Sequence, residues 1–357
     1  MPSIYGEKIH ISIFGQSHSA AIGVVIDGLP AGVKIDMAEL GRFMARRAPG
    51  QGKYATARKE ADLPEFVSGV VDDVTCGAPV CALIRNTDMH SGDYANLRDV
   101  PRPSHADYPA YVKFGAAHDI RGGGHFSGRL TAPLCIAGGI ALQMLRARGV
   151  SIGAHIASVG SVNDARFDAV NVSASDFDKI AANGFPVLDC QAGEKMLAEI
   201  ESARADADSI GGTIECAAVG LPAGLGDALF GGLEGRMSMA LFGVPAVKGV
   251  EFGNGFDCAT LRGSQNNDPF VIENGKIKTL TNNAGGILGG ITTGMPLIFK
   301  VAIKPTPSIG KPQQSVSLSR MENSELVIKG RHDPCIVPRA VPVIEAAAAL
   351  ALLDVML

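Results

Sequence analysis

Tryptophan is absent from the 357 residues, and aromatic side chains make up 5% of them. Single-stranded nucleic acids are generally held by stacking bases on aromatic rings, so no nucleic-acid partner is expected. An excess of one charge is also missing. The 32 Lys and Arg residues oppose 36 Asp and Glu, a formal net charge of -4, which argues against a general polyanion binder. Any anionic ligand must therefore be met by a local basic cluster. Cysteine occurs seven times, at Cys76, Cys81, Cys135, Cys190, Cys216, Cys258 and Cys335, with no Cys-x-x-Cys. An odd, scattered set is neither a disulfide framework nor a zinc knuckle, and it suits a reducing cytosol. There is no His-x-x-x-His, and the one Glu-x-x-His, Glu7 to His10, has no second copy, so no metal site is expected. The most apolar run, Leu130 to Leu145, has 16 residues and contains Thr131, Pro133 and Gln143. A bilayer needs about 20 apolar residues, so the run reads as a buried helix. The start, Met1 to Gly15, lacks the basic-then-apolar layout of a secretion signal. The expectation is a soluble cytoplasmic protein with no membrane partner.

What is present is a large apolar content. At 46% hydrophobic and 19% charged, the chain can bury a sizeable core, and global disorder is excluded. The 44 glycines and 20 prolines imply many tight turns. Length alone suggests two domains. No low-complexity linker divides the chain, however, so a single domain spanning residues 1–357 is expected. Strands are predicted at His10–Phe14, Ile22–Ile26, Val80–Ile84, Gly212–Val219 and Leu297–Ile303. Helices are predicted from the capping-box-like Asp36 and Glu39 to Pro49, from Thr131 to Arg148, from Glu194 to Ala205 and from Val343 to Leu357. With no regular βαβ rhythm, the class is α+β layers rather than a doubly wound sheet.

Five segments could carry chemistry. Gly15-Gln16-Ser17-His18-Ser19 follows a strand and sets a histidine beside a hydroxyl, which suits proton transfer near neutral pH; a plain surface loop is the competing reading. Arg102-Pro103-Ser104-His105-Ala106-Asp107 could grip an anion at a helix start, or simply cap that helix. Arg121 to Arg129 contains three successive glycines flanked by arginines, a generic anion cradle or a turn. It is not a Walker A loop, and Ser127 breaks the dinucleotide fingerprint. Arg46-Arg47 with Lys53 and Arg58-Lys59 could hold carboxylates or phosphate, or merely complement a helix dipole. The last third gathers Asn282–Gly290, Lys304-Pro305-Thr306-Pro307-Ser308 and Gly330-Arg331-His332-Asp333-Pro334, consistent with a second phosphate-bearing ligand. Gly149-Val150-Ser151-Ile152-Gly153 follows a helix rather than a strand, so it is a turn and not a nucleophile elbow.

In this order, from about Ile11 to the C-terminus, these segments resemble the chorismate synthase family. So do Asp208–Gly212, Gly220–Gly226, Ala246–Gly249, Arg262–Gln265 and the run from Gly330 through Arg339 to Glu345. The resemblance implies an α+β, chorismate-synthase-like β-α-β sandwich in a single large domain, assembled as a homotetramer. It implies trans-1,4 elimination of phosphate from 5-enolpyruvylshikimate 3-phosphate, giving chorismate, with reduced FMN as cofactor. By carry-over, His18 is the acid near the departing phosphate, with Ser17 beside it. His105 protonates or stabilises the reduced flavin, Asp333 assists at flavin N5, and Ser127 joins the catalytic set. Arg47, Lys53, Arg58, Arg102 and Arg129 bind the substrate's phosphate and two carboxylates. The flavin positions are His125, Phe126, Ser127, Pro245, Ala246, Gly289, Lys304, Pro305, Thr306, Pro307, Ser308 and Arg331.

The chain departs from the family pattern at Gln16, Ser19, Ala48, Lys53, Ser104, His125, Phe126, Gly128 and Pro245. Lys53 lacks the bidentate fork of an arginine, and Pro245 lacks a backbone donor. The notable ones for cofactor binding, His125, Phe126 and Pro245, fall at flavin positions. They keep open an alternative, a catalytically impaired ligand-binding member of the same fold. A flavin oxidoreductase acting on another substrate ranks last, because Ser17, His18 and Asp333 are retained.

Overall fold

A computed structural model describes residues 3–50, 62–86, 97–328 and 333–357. Two five-stranded antiparallel sheets form its outer layers. The first comprises β1 (Ile4–Tyr5), β2 (His10–Gly15), β3 (Ala21–Asp27), β4 (Glu65–Ser68) and β5 (Val80–Arg85), in the order β1-β2-β3-β5-β4. The second comprises β6 (Ser151–Val159), β7 (Val162–Asn163), β8 (Gly212–Val219), β9 (Val247–Phe252) and β10 (Leu297–Ile303), in the order β9-β10-β8-β6-β7. The helices are α1 (Met37–Arg47), α2 (Asp107–Phe114), α3 (Thr131–Arg146), α4 (Ala174–Ala182), α5 (Cys190–Ala205), α6 (Leu233–Phe242) and α7 (Val337–Met356). Helix α3 packs on the first sheet and on α7, while α7 packs on the second, giving the expected β-α-β sandwich. One cluster of buried apolar residues runs through all three layers.

The middle layer explains the apolar runs. Helix α7 is buried on every side, from Val343 through Leu353, as a helix apolar all round must be. Its small residues let α3 approach closely: a Cβ on Gly138 would lie 2.2 Å from that of Ala346. Its two acids pin the layers together. Glu345 accepts both guanidinium nitrogens of Arg46 at 2.7 and 2.8 Å and the Ala154 N–H at 3.0 Å. Asp354 accepts the N–H groups of Glu7, Lys8 and Ile9.

All five predicted strands form, each extended by at most one residue at either end. Helix α1 starts at an Asp36 cap that accepts the Glu39 N–H at 2.8 Å. Two helices begin earlier than the periodicity indicated. Helix α5 starts at Cys190 because Asp189 accepts the Gln191 N–H and caps it. Helix α7 starts at Val337 and runs through Pro342; Pro338 sits in its first turn, where proline's fixed φ favours the helix. Gly149, at φ +81°, ends the turn after α3, and Ser151 opens β6.

One buried cluster lies on the second sheet. His155 and Glu215 are cross-strand partners of β6 and β8. The fully buried imidazole reaches Glu215 through Nε2 and Asp164 through Nδ1, both at 2.9 Å, with Phe167 edge-on at 4.7 Å. Each nitrogen faces a carboxylate oxygen, so each carries a proton. Burial alone would lower the pKa, but hydrogen bonds to Asp164 and Glu215 raise it above the ordinary value. A raised folded-state pKa contributes stability below the unfolded value, roughly 6.5, that is lost as pH rises through the folded value. His155→Gln should cost about 3 kcal/mol or more, since it leaves buried carboxylates without their cation. Urea unfolding should show the wild-type advantage shrinking as pH climbs above roughly 6.5. A difference independent of pH would show that His155 is not charged in the fold.

Candidate active site

A cavity of about 820 Å³ opens between the first sheet, the N-terminal end of α3, α6 and α7. Arg47, Arg102, Arg129 and Arg339 lie on its wall together with Lys248 and Lys304. Each arginine is paired with a carboxylate. Asp62, its side chain fully buried, accepts Arg47 Nη1 and Arg129 Nη1, both at 2.6 Å. Burial would raise the Asp62 pKa, but the two guanidinium groups hold it below the usual carboxylate range. Arg47 also donates to the Thr131 hydroxyl and the Gly128 carbonyl, and Arg129 donates to Asn86 Oδ1 at 2.9 Å. Arg339 pairs with Asp333 and donates to the Arg47 carbonyl at 3.1 Å.

The third carboxylate serves two partners. Asp107 accepts Arg102 Nε at 2.7 Å, Arg102 Nη2 at 2.8 Å, the Arg102 N–H at 3.0 Å and His105 Nδ1 at 2.6 Å. These bonds overcome burial and leave its pKa far below normal. For His105, burial lowers the pKa, Asp107 opposes and Arg102 adds to the lowering; the result is a downward shift. The helix expected near His105 starts at Asp107 instead, because His105 is occupied as that residue's partner.

The triple glycine is a partition between histidines. Gly122, Gly123 and Gly124 have φ of +59°, +86° and +56°. A Cβ on Gly122 would sit 2.4 Å from the His18 ring, and one on Gly123 3.2 Å from His105 Nε2. The turn thus brings both imidazoles to one backbone segment, on which Ser17 also rests: its N–H bonds the Gly124 carbonyl at 3.1 Å. Ser17 and His105 line the cavity, whereas the His18 ring lies behind the glycine turn. Arg121, read from sequence as a flank of an anion cradle, faces outward and pairs with Asp119 at 2.8 Å.

The remaining predicted positions divide. Phe126, Ser127, Pro245, Ala246, Thr306, Pro307 and Ser308 line the cavity. Ser308 accepts Arg102 Nη1 at 3.2 Å. Lys304 donates to the Ser104 carbonyl at 2.7 Å, and burial and then Lys248 lower its pKa. His125 also lines the cavity, but both its ring nitrogens have protein partners: Nδ1 meets the Gly15 carbonyl at 2.7 Å and Nε2 meets the Ser3 hydroxyl at 2.6 Å. Gly289 and Pro305 are exposed and do not line the cavity; Gly289 turns the hairpin Ile287–Leu288/Ile291–Thr292. Lys53, Arg58 and Arg331 lie outside the described residues.

Sequence reasoning missed Asp62 as a site residue and noted Lys248 and Arg339 only within motifs. His105-x-Asp107 carried a readable signal, since a carboxylate two residues from a histidine in a tight turn can reach Nδ1. Asp62 carried none.

Gly122→Ala should lower stability by about 1–3 kcal/mol through backbone strain at positive φ and displace the His18 ring. Gly41→Ala, in α1 with nothing within 4 Å of its Cβ position, should instead stabilise by about 0.5–1 kcal/mol. Thermal melts of both variants check this; a neutral Gly122→Ala would contradict the partition.

A family model described as chorismate synthase matches residues 9–357. A chorismate synthase of Lancefieldella parvula is 47% identical over 99% of this chain and 96% of its own length. One from Thermococcus gammatolerans is 47% identical over 98% and 96%. A crystal structure of a chorismate synthase superposes with a TM-score of 0.76 at 25% identity, over 98% of this chain and 92% of that one. With the sandwich and the arginine-lined cavity in place, the chain belongs to the chorismate synthase family.

Proposed function

We propose that the chain is a carbon–oxygen lyase of the shikimate pathway and aromatic amino acid biosynthesis. It converts 5-enolpyruvylshikimate 3-phosphate to chorismate and phosphate by trans-1,4 elimination, using reduced FMN. The carrying observation is the convergence of Arg47, Arg102, Arg129 and Arg339 with Ser17, His105 and Asp333 on one cavity. The substrate has two carboxylates and a phosphate, and fixed guanidinium forks suit all three.

The cavity also suits a flavin. Ile11, Ile13, Leu134, Val343, Ala347 and Leu350 form an apolar wall fit for a flat ring system. Among the described residues, the buried Thr306 hydroxyl has no hydrogen-bond partner. It lies on the cavity wall with Lys304 and Ser308, where a phosphate oxygen would satisfy it. Reduced FMN, when bound, supplies a transient electron for an elimination with no net redox change.

The chain's own residues do the rest. Arg47, Arg102 and Arg129, with Lys53 and Arg58, hold the anionic groups and fix the ring. His18 is the acid for the departing phosphate, which leaves more readily when protonated; its ring lies behind the glycine turn, and Ser17 beside it is the group that reaches the cavity. His105, whose pKa is held below the ordinary value, offers its Nε2 lone pair to stabilise the reduced flavin. Asp333, paired with Arg339, assists where the C6 proton is taken up at flavin N5. The chain works as a single domain, in the cytoplasm, as a homotetramer. Leu229, Phe230 and Phe256 are each at least 85% exposed, a surface that association would cover. Sedimentation equilibrium should read four chains, and a monomer at micromolar concentration would overturn that assembly.

Anaerobic mixing of protein, photoreduced FMN and 5-enolpyruvylshikimate 3-phosphate should yield chorismate and phosphate in equal amounts. His18→Ala and His105→Ala should each lower turnover about 100-fold or more. Substrate binding without turnover would instead favour the impaired ligand-binding member, a reading that the occupied nitrogens of His125 support.

A further inference from the structure

We propose that Asp107 is a positioning residue that locks His105, a cavity-lining side chain, as the Nδ1–H tautomer and so reserves Nε2 as a lone-pair acceptor. The proposal rests on the function assigned above only for its kinetic consequence; the tautomer itself stands on geometry. His105 Nδ1 has two neighbours, Asp107 Oδ1 at 2.6 Å and Arg102 Nη2 at 3.1 Å. A guanidinium nitrogen can only donate and a carboxylate can only accept. A lone pair on Nδ1 would suit Arg102 but set two acceptors against each other at 2.6 Å. A proton on Nδ1 satisfies Asp107, whose carboxylate already takes three N–H groups of Arg102 and is thereby held ionised. The proton therefore belongs on Nδ1.

Asp107 also aims the neighbouring cation. Arg102 Nε and Nη2 are both engaged by the carboxylate, which turns Nη1 toward Ser308 and the cavity. One buried side chain, 3% exposed, thus sets the tautomer of the base and the direction of an anion-binding fork. The charged groups acting on His105 are Arg102, Asp107 and Lys304; the two cations disfavour imidazolium and the carboxylate favours it.

Asp107→Asn tests the assignment. The Asn amide would keep an acceptor for Arg102 and turn an N–H toward Nδ1, inverting the tautomer. Nitrogen-15 NMR of histidine-labelled full-length protein, with His105 assigned by its loss in His105→Gln, should show protonated Nδ1 and unprotonated Nε2 in the wild type. Asp107→Asn should reverse the two, and Asp107→Glu should restore the original pattern. Turnover in Asp107→Asn should fall at least 10-fold, as outer-shell partners typically cost, with the loss in kcat exceeding the change in KM. A wild-type Nε2–H tautomer overturns the proposal even if no Asp107 variant folds. An unchanged tautomer in Asp107→Asn does so as well. Wild-type protein with the expected tautomer but no chorismate formation would refute the function and leave the positioning role standing.

Discussion

Repulsion among cations is the constraint around which the site is built. Four guanidinium groups share one cavity wall with two lysines, and like charges about 4 Å apart at a protein surface repel by roughly 4 kcal/mol. Carboxylates paired with them make the arrangement tolerable: Asp62 between Arg47 and Arg129, Asp107 against Arg102, and Asp333 against Arg339. Each pairing fixes its arginine in direction; Asp62 and Asp107 stand behind the cavity wall, and Asp333 lies on it. Among the described residues, six cations against three carboxylates leave a surplus of three positive charges around the cavity. That surplus offsets most of the charge of a substrate with two carboxylates and a phosphate, on a protein whose net charge is negative.

The same economy governs the acid–base groups. Two imidazoles, His18 and His105, sit near one another without touching, and the Gly122–Gly124 turn makes this geometrically available. Backbone with no side chain at positive φ is thin enough to be sandwiched. His105 then meets burial, an arginine and a carboxylate, while His18 meets Ser17 and the glycine backbone. Different surroundings push apart the behaviour of chemically identical groups.

Sheet strands and α1 were legible in the sequence because period-two and period-3.6 patterns and caps are local. The starts of α5 and α7 were not, since Asp189 capping and the tolerance of Pro342 depend on where the first turn falls. His18, His105, Ser17 and Asp333 stood out because chemistry-bearing residues sat among turn formers. Asp62 did not: its partners Arg47 and Arg129 are 15 and 67 residues away, and no local pattern marks a carboxylate that meets its cations only in the fold. His125 was expected as a cofactor position from the resemblance; it lines the cavity, and the partners of its ring, Ser3 and the Gly15 carbonyl, come from the far end of the chain, where no local pattern announces them.

The arginines are fixed to the core as well as to their acids. Arg47 ends α1, and Arg339 opens α7; the Arg339 Nε bond to the Arg47 carbonyl ties the two helices at the cavity rim. Nearly two turns further along α7, Glu345 holds Arg46 and a β6 amide, so the rim cannot shift without breaking a buried ion pair. The close approach of Gly138 to Ala346 sets the distance between α3, which carries Thr131 beneath Arg47, and α7, which carries Arg339. Small residues deep in the middle layer therefore control the spacing of charges at the surface of the cavity. Packing there is a condition of the site's electrostatics, and enlarging either residue would part guanidinium groups that never touch it.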